Sequence, residues 1–464
     1  MTGRNGDMMV IGLDGVPHWL LTRLADQGVM PHVGKLLDQG TLRPLRAPIP
    51  DISSTSWASF LTGADCGTHG IYGFIDLVPG SYDTFFPNMR DLKATPVWQA
   101  VGASGSRSVI LNVPGTFPAP PMRGVLVSGF VATDLDRAVY PDQLREPLRR
   151  MGYHLDVEVG DVHADEPAFM DRVDAALAAR REAFEYILDR DGVGGGADAR
   201  LAICVFTETD RVHHFLWRDL MDPDSPMHER ILAFYHQVDS AVGDMADRAG
   251  DGGLMLVSDH GFGDVHTQFY VNAWLRSAGY FAVGPKATDL SGMDESTTAF
   301  ALDPGRIFLN RAGRFPQGGP IPAELEAELS RRLLSLRRDA DGVVTEGGPG
   351  EPVVAEVLRG QELYHGPAAA GAADLVLLPA PGVQLRGAWQ TTSLVMDGPL
   401  TGTHTREDAL FWCRDDNGDG PVEMRDVACT VLGHLGIDPP ASMHGRDVRA
   451  TATKIPQPDG RRRP

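Results

Sequence analysis

Four short stretches of this chain carry residues that can hold a cation, and a fifth carries hydroxyls that a cation can activate. Asp210 and His214 stand four apart in TETDRVHH. On a helix these positions share a face, so carboxylate and imidazole can take one ion while His213 points elsewhere. Asp259-His260 follows GLMLVS, Asp14-Gly15 follows MMVIGL, and His404 lies in Gly402-Thr403-His404-Thr405. Each alone has a plainer reading: a surface helix pair, a turn aspartate, a packing histidine. Together they make a nitrogen/oxygen donor set with imidazole, which suits zinc first and manganese or iron second. Two divalent cations about 4 Å apart would clamp the entering and leaving oxygens of a displacement at phosphorus. One of them would also stabilise a serine alkoxide, which a free hydroxyl cannot supply near neutral pH.

That hydroxyl is expected between Pro48 and Phe74, PIPDISSTSWASFLTGADCGTHGIYGF. Small hydroxyl residues there lead into a helix with Trp57, Phe60 and Leu61 as its buried stripe. Ser53 or Ser54 suits the N-cap, at the positive end of the helix dipole where an anion is favoured.

The elements that must position these groups are legible as apolar runs. Met8–Leu13, Ser108–Val113, Gly124–Val127, Leu201–Phe206 and Gly253–Val257 read as buried strands. Helical spacing is expected over Pro31–Gly40, Glu166–Arg190 and Met227–Ala249. Alternating strands and helices predict an α/β fold whose largely parallel central sheet carries helices on both faces. Asp14, Asp210 and Asp259 then follow strands along one edge, where open sheets place ligands. From Thr267 the pattern changes, and 289–354 is expected to form a smaller inserted cap within a catalytic domain spanning 1–450. Asp374–Leu378 and Leu410–Cys413 resume the buried-strand signature, and Asp426–Gly436 closes as a helix. The glycine-rich stretch from Asp191 to Ala199 is expected to be a flexible loop and the tail, 451–464, to be disordered.

The bulk properties narrow the function. The chain has 464 residues and a formal charge of -20, which argues against a nucleic-acid polymer as partner but not against a small phosphorylated substrate. Its four cysteines are widely spaced, so neither a disulfide framework nor a thiolate zinc site is indicated. No apolar run has signal-peptide or membrane-spanning length, which makes a cytoplasmic location without membrane attachment the default expectation.

The run SSTSWASFLTG…HGIYGF resembles the nucleophile motif of the alkaline phosphatase superfamily, closest to the type I phosphodiesterase and nucleotide pyrophosphatase branch. DRVHH, SDHGF and GTH match that family's further metal motifs in order. The resemblance implies an alkaline-phosphatase-like fold, two zinc ions and a phosphoserine intermediate. It implies Ser53, ten residues before Gly63, as the nucleophile that also bridges the metals. Asp210, His214 and His404 would hold one ion, and Asp14, Ser53, Asp259 and His260 the other. Phosphodiester or phosphoanhydride cleavage is the activity implied, with a phosphomonoesterase or phosphonate hydrolase on the same core as the alternative. A binding protein without catalysis is a third reading. The chain departs from the branch in three places: Ser53 stands where threonine is usual, Thr55 where proline is, and Phe74 where an asparagine holds a phosphoryl oxygen. Ser54 and Thr55 remain rival nucleophiles.

Overall fold

The computed structural model describes residues 6–191, 199–284, 287–414, 416 and 418–449. The expected loop after Asp191 lies largely, and the tail from Thr451 entirely, outside the described residues. A nine-stranded sheet organises the chain, built from β1 (Met8–Leu13), β2 (Thr41–Arg46), β3 (Arg107–Val113), β4 (Gly124–Ser128), β5 (Val139–Tyr140), β6 (Ala199–Phe206), β7 (Gly253–Val257), β8 (Ala409–Cys413) and β9 (Val422–Glu423). Their spatial order is β9-β2-β8-β7-β1-β6-β3-β4-β5. The central five, β7-β1-β6-β3-β4, pair in parallel, while β8 and β5 run antiparallel beside them.

Strand alternation explains why these runs are apolar throughout. In β1, Met9, Ile11 and Leu13 enter one core while Met8 and Val10 enter the other. The helices that matter are α1 (Ser53–Thr62), α2 (Glu166–Asp191), α3 (Glu208–Met221), α4 (His228–Ala249) and α5 (Met424–Leu435). Side chains of α2, α3 and α4 pack on one face of the sheet, those of α1 and α5 on the other. This is the α/β architecture expected, with a largely parallel sheet covered on both sides.

Three local expectations are corrected. Ile52, extended at φ -120°, is the N-cap of α1 and makes no side-chain cap bond, so Ser53 is the first helical residue rather than a cap. All ten residues of α1 are buried, because the helix is enclosed on every side and not merely along one stripe. The run from Asp374 to Leu378 does not return to the main sheet. Leu375–Pro379 pairs antiparallel with Arg306–Leu309 and Val354–Arg359 in a separate four-stranded sheet. An apolar run specifies burial, not which sheet receives it. The strand β2 was not anticipated at all, since Pro44 and two arginines in TLRPLR hide its pattern.

Residues 289–354 thus share their four-stranded sheet with strands beyond 354. We propose that the smaller unit runs from Thr267 to Met396, because every strand between these residues pairs within small sheets rather than with the main one. It has its own core, including Phe269, Trp274, Phe300, Phe308, Leu329 and Val376. Among the described residues, no helix is long and apolar enough to cross a membrane.

Candidate active site

The site forms at the carboxyl edge of the main sheet, where three chain reversals deliver carboxylates. Asp14 leaves β1 at Leu13, and its Oδ2 accepts the indole N–H of Trp57 at 3.1 Å. Gly12 makes that contact possible: a Cβ there would lie 2.7 Å from the Trp57 ring, so only glycine lets α1 approach β1 this closely. Asp259 follows β7 and accepts the Gly15 N–H through Oδ1 at 3.1 Å, which ties the two reversals together. Asp210 lies in the first turn of α3, and His214 sits one turn on, with Nε2 3.4 Å from Asp210 Oδ1.

His404 arrives by a different route. Gly402–Thr405 pairs antiparallel with Gly261–Asp264, with His404 opposite Phe262. That pairing stacks the His404 ring on the His260 ring, centroids 3.6 Å apart. Its Nε2 lies 3.1 Å from His214 Nε2 and 3.5 Å from Asp210 Oδ1.

All three imidazoles are oriented the same way. Nδ1 of His260 donates to Gly261 O, Nδ1 of His214 to Gly402 O, and Nδ1 of His404 to Asp51 O, at 3.0, 3.3 and 3.0 Å. Each carbonyl holds one nitrogen, leaving Nε2 of every ring free to face the carboxylates, which is how protein-bound imidazole ligands are usually fixed. His260 Nε2 is 3.2 Å from Asp259 Oδ2, 3.8 Å from Asp14 Oδ1 and 3.9 Å from Asp210 Oδ1. The Ser53 hydroxyl donates to the same Nε2 at 3.1 Å.

Three buried carboxylate oxygens in this cluster, Asp14 Oδ1, Asp210 Oδ1 and Asp259 Oδ2, have no hydrogen-bond partner. Buried acceptors are seldom left unsatisfied, so their convergence with three inward-facing imidazole nitrogens fits bound cations. Ligand atoms of Asp210, His214 and His404 lie mutually within 4.8 Å, and so do those of Asp14, Asp210 and His260. Asp210 therefore belongs to both groups.

Comparison with known proteins agrees with this geometry. A family model described as type I phosphodiesterase / nucleotide pyrophosphatase matches residues 8–406. The chain belongs to that family. Among curated proteins, no sequence matches. Among solved structures, phosphonoacetate hydrolase from Sinorhizobium meliloti 1021, in complex with phosphonoacetate, is 16% identical with a TM-score of 0.60, covering 93% of this chain and 96% of that one. Murine ectonucleotide pyrophosphatase / phosphodiesterase 5 is 14% identical with a TM-score of 0.53, again covering 93% and 96%. An inactive form of the murine protein in complex with AMP gives 14% and 0.54, with the same coverage. These are alkaline phosphatase superfamily members, and the chain shares their fold.

As a member of the type I phosphodiesterase family the protein is a metal-dependent phosphoryl hydrolase, and its electrostatics suit that role. Burial, with the charges of Asp259 and Asp210, pushes Asp14 well above the usual carboxylate range. Burial also pushes Asp259 up to about 6. Burial would raise Asp210 too, yet His214, His404 and Arg211 hold it well below its ordinary value. Burial lowers His214 to about 4 and takes His260 far down, whereas Asp210 outweighs burial at His404 and raises it. Without cations burial thus favours the protonated form of Asp14 and Asp259, while Asp210 stays ionised beside its imidazole and guanidinium neighbours. We expect the apparent Zn²⁺ affinity to fall steeply as pH drops through about 6, where Asp259 takes up its proton. A titration giving the same affinity on both sides of that value would mean the ion is held without these carboxylates.

The remaining polar residues sort themselves by contact. Among the rival hydroxyls, those of Ser54 and Thr55 have no hydrogen-bond partner, and Ser54 faces a small pocket beside Phe74 and Phe130. His213 is structural: Nδ1 donates to Gly15 O at 2.9 Å and Nε2 meets the Tyr235 hydroxyl. His69 is fully buried and bonds Ser59 at 3.0 Å, which makes it a packing residue. Arg306 is buried against Asp76 at 3.3 Å. Arg311 and Arg314 are both engaged by Asp374.

Sequence reasoning missed Arg211. Its guanidinium donates to both oxygens of Asp156 at 3.0 and 2.6 Å, reaches Asp210 Oδ2 at 3.3 Å and lies 4.5 Å over the Phe130 ring. Its place next to Asp210 was the one available signal, and nothing in the sequence points to Asp156. A buried network backs the same helix: Arg180 donates to Glu208 at 2.6 Å and to the Tyr153 hydroxyl at 2.9 Å, with both charged partners fully enclosed.

Proposed function

We propose that this protein cleaves phosphodiester or phosphoanhydride bonds at a two-zinc site, with Ser53 as nucleophile and a phosphoserine intermediate that water hydrolyses. The observation that carries the reading is the convergence of three orphaned carboxylate oxygens and three imidazole Nε2 atoms beside the Ser53 hydroxyl. His214, His404 and Asp210 would hold one cation, and Asp14, Asp259, His260 and Ser53 the other, with Asp210 Oδ1 near enough to serve both. When bound, the cations supply Lewis-acid charge to the serine alkoxide and the phosphoryl oxygens. Two dications would outweigh the three carboxylates, so the pocket would attract an anion although the chain is acidic overall.

The protein's own groups do the rest. The start of α1 places Ser53 where opening amides have no intrahelical acceptor, which favours an anionic phosphoryl group in front of the hydroxyl. The carbonyls of Asp51, Gly261 and Gly402 keep the three rings turned inward while charge develops. Substrate is a small phosphorylated molecule rather than a polymer.

Phe74 favours a second reading. It stands where the diesterase branch is expected to offer an asparagine, and it packs edge-on against Phe130, centroids 5.4 Å apart, as an apolar wall with no donor. A phosphomonoesterase or phosphonate hydrolase on the same core accommodates that loss. Stripping the protein with a chelator and reloading it with Zn²⁺ tests both readings. We expect turnover of bis-p-nitrophenyl phosphate to vanish and return, and to exceed that of p-nitrophenyl phosphate. Faster hydrolysis of the monoester or of phosphonoacetate would select the second reading, and a loaded protein inert to all three would leave only a binding role.

A further inference from the structure

Against the cation site lies a cavity of about 360 Å³, with His214 and His404 among its lining residues. Most of the lining is apolar, contributed by both units: Phe215 from the main one, Leu377 and Val383 from the smaller. Two arginines also line it. Arg211 is already committed to Asp156 and Asp210. Arg386, at the end of the strand Val383–Arg386, is different: among the described residues it has no hydrogen-bond or ion-pair partner, and its Nε is buried without one. The cavity's two carboxylates do not neutralise it. Asp303 accepts the Gly387 N–H instead, and Asp51 forms no ion pair with it.

The buried Nε of Arg386 lacks the hydrogen-bond partner that an anion entering this apolar-walled cavity would supply. The planar fork of Arg386 suits a carboxylate, and a single free guanidinium beside Asp51 and Asp303 matches a monoanion better than a phosphate dianion.

We propose that this cavity is the subsite for the substrate's organic arm, and that Arg386 selects an arm with an apolar body and a terminal carboxylate. The inference rests on the phosphodiesterase reading for the reacting end and adds the chemistry of the other end. Arg386 is a specificity residue, remote from the bond that breaks.

The test uses two p-nitrophenyl phosphodiesters whose second arm is a pentyl chain ending in a carboxylate or in its methyl ester. The zinc-loaded enzyme is expected to favour the acid over the ester in kcat/KM by about tenfold to a hundredfold, the range for one charged hydrogen-bonded contact. Arg386→Met should remove that preference, mainly through KM, while Arg386→Lys should keep part of it. Equal use of both arms by the unaltered enzyme, or a preference that survives in Arg386→Met, would overturn the proposal. Calorimetric binding of the matching non-hydrolysable phosphonates reads the same discrimination without turnover. A protein inert to both esters that still binds the acid-armed phosphonate more tightly would therefore refute the phosphodiesterase reading and uphold the subsite.

Discussion

Ser53→Ala is expected to lower kcat by at least about a thousandfold, in keeping with the loss of a covalent nucleophile, while both cations stay bound. The separation of effects follows from geometry. Ser53 is not the cap of α1, so losing its hydroxyl removes no helix-stabilising bond. Its one hydrogen bond is to His260 Nε2, an atom that also faces Asp14, Asp210 and Asp259. Six other side chains are left to hold the ions. Metal analysis on the variant, together with single-turnover kinetics, reads both halves of the expectation. Near-normal turnover would move the nucleophile to Ser54 or Thr55, whose hydroxyls are buried without hydrogen-bond partners. Loss of metal alongside activity would make Ser53 chiefly a ligand.

Asp210→Ala should deplete both ions together, and turnover should fall by about a hundredfold or more, beyond the range seen for residues that merely orient ligands. Asp210 Oδ1 is 3.4 Å from His214 Nε2, 3.5 Å from His404 Nε2 and 3.9 Å from His260 Nε2, so one oxygen faces all three rings. His214→Ala and His404→Ala, in contrast, should each weaken a single ion, and the same one. The fold should tolerate Asp210→Ala, because Arg211 keeps its two bonds to Asp156 and is not left as a bare buried charge. An Asp210→Ala protein that retained one full equivalent of metal would show that the carboxylate serves one site only. His214 and His404 variants that lost different ions would break the grouping from the other side.

The residues of the cluster were legible for a common reason. Asp14 and Asp259 follow apolar runs that could only be buried strands, and strands in parallel end at one edge. Asp210 and His214 share a helical face by spacing alone. The proposed division of the cluster between two cations was less legible. Asp210 falls in both groups, and sequence spacing cannot express a side chain that faces two ways. The N-cap was misplaced because serine's capping preference was weighed without knowing that Ile52 would lie extended and Ser53 would face His260. Arg211 and Arg386 were passed over since an arginine's role depends on what pairs with it. Asp156 neutralises one and nothing described neutralises the other.

By itself, then, the sequence determined the layered α/β plan, the order of the motifs and the donor types, because periodicity and side-chain chemistry are local properties. Only the tertiary structure decided which sheet received the 375–379 run, how the 261–264 and 402–405 strands pair to stack His404 on His260, and which arginine stays unpaired in the cavity. Those outcomes depend on contacts between segments far apart in the chain, which are set by packing the whole molecule at once and leave no periodic mark on any one segment.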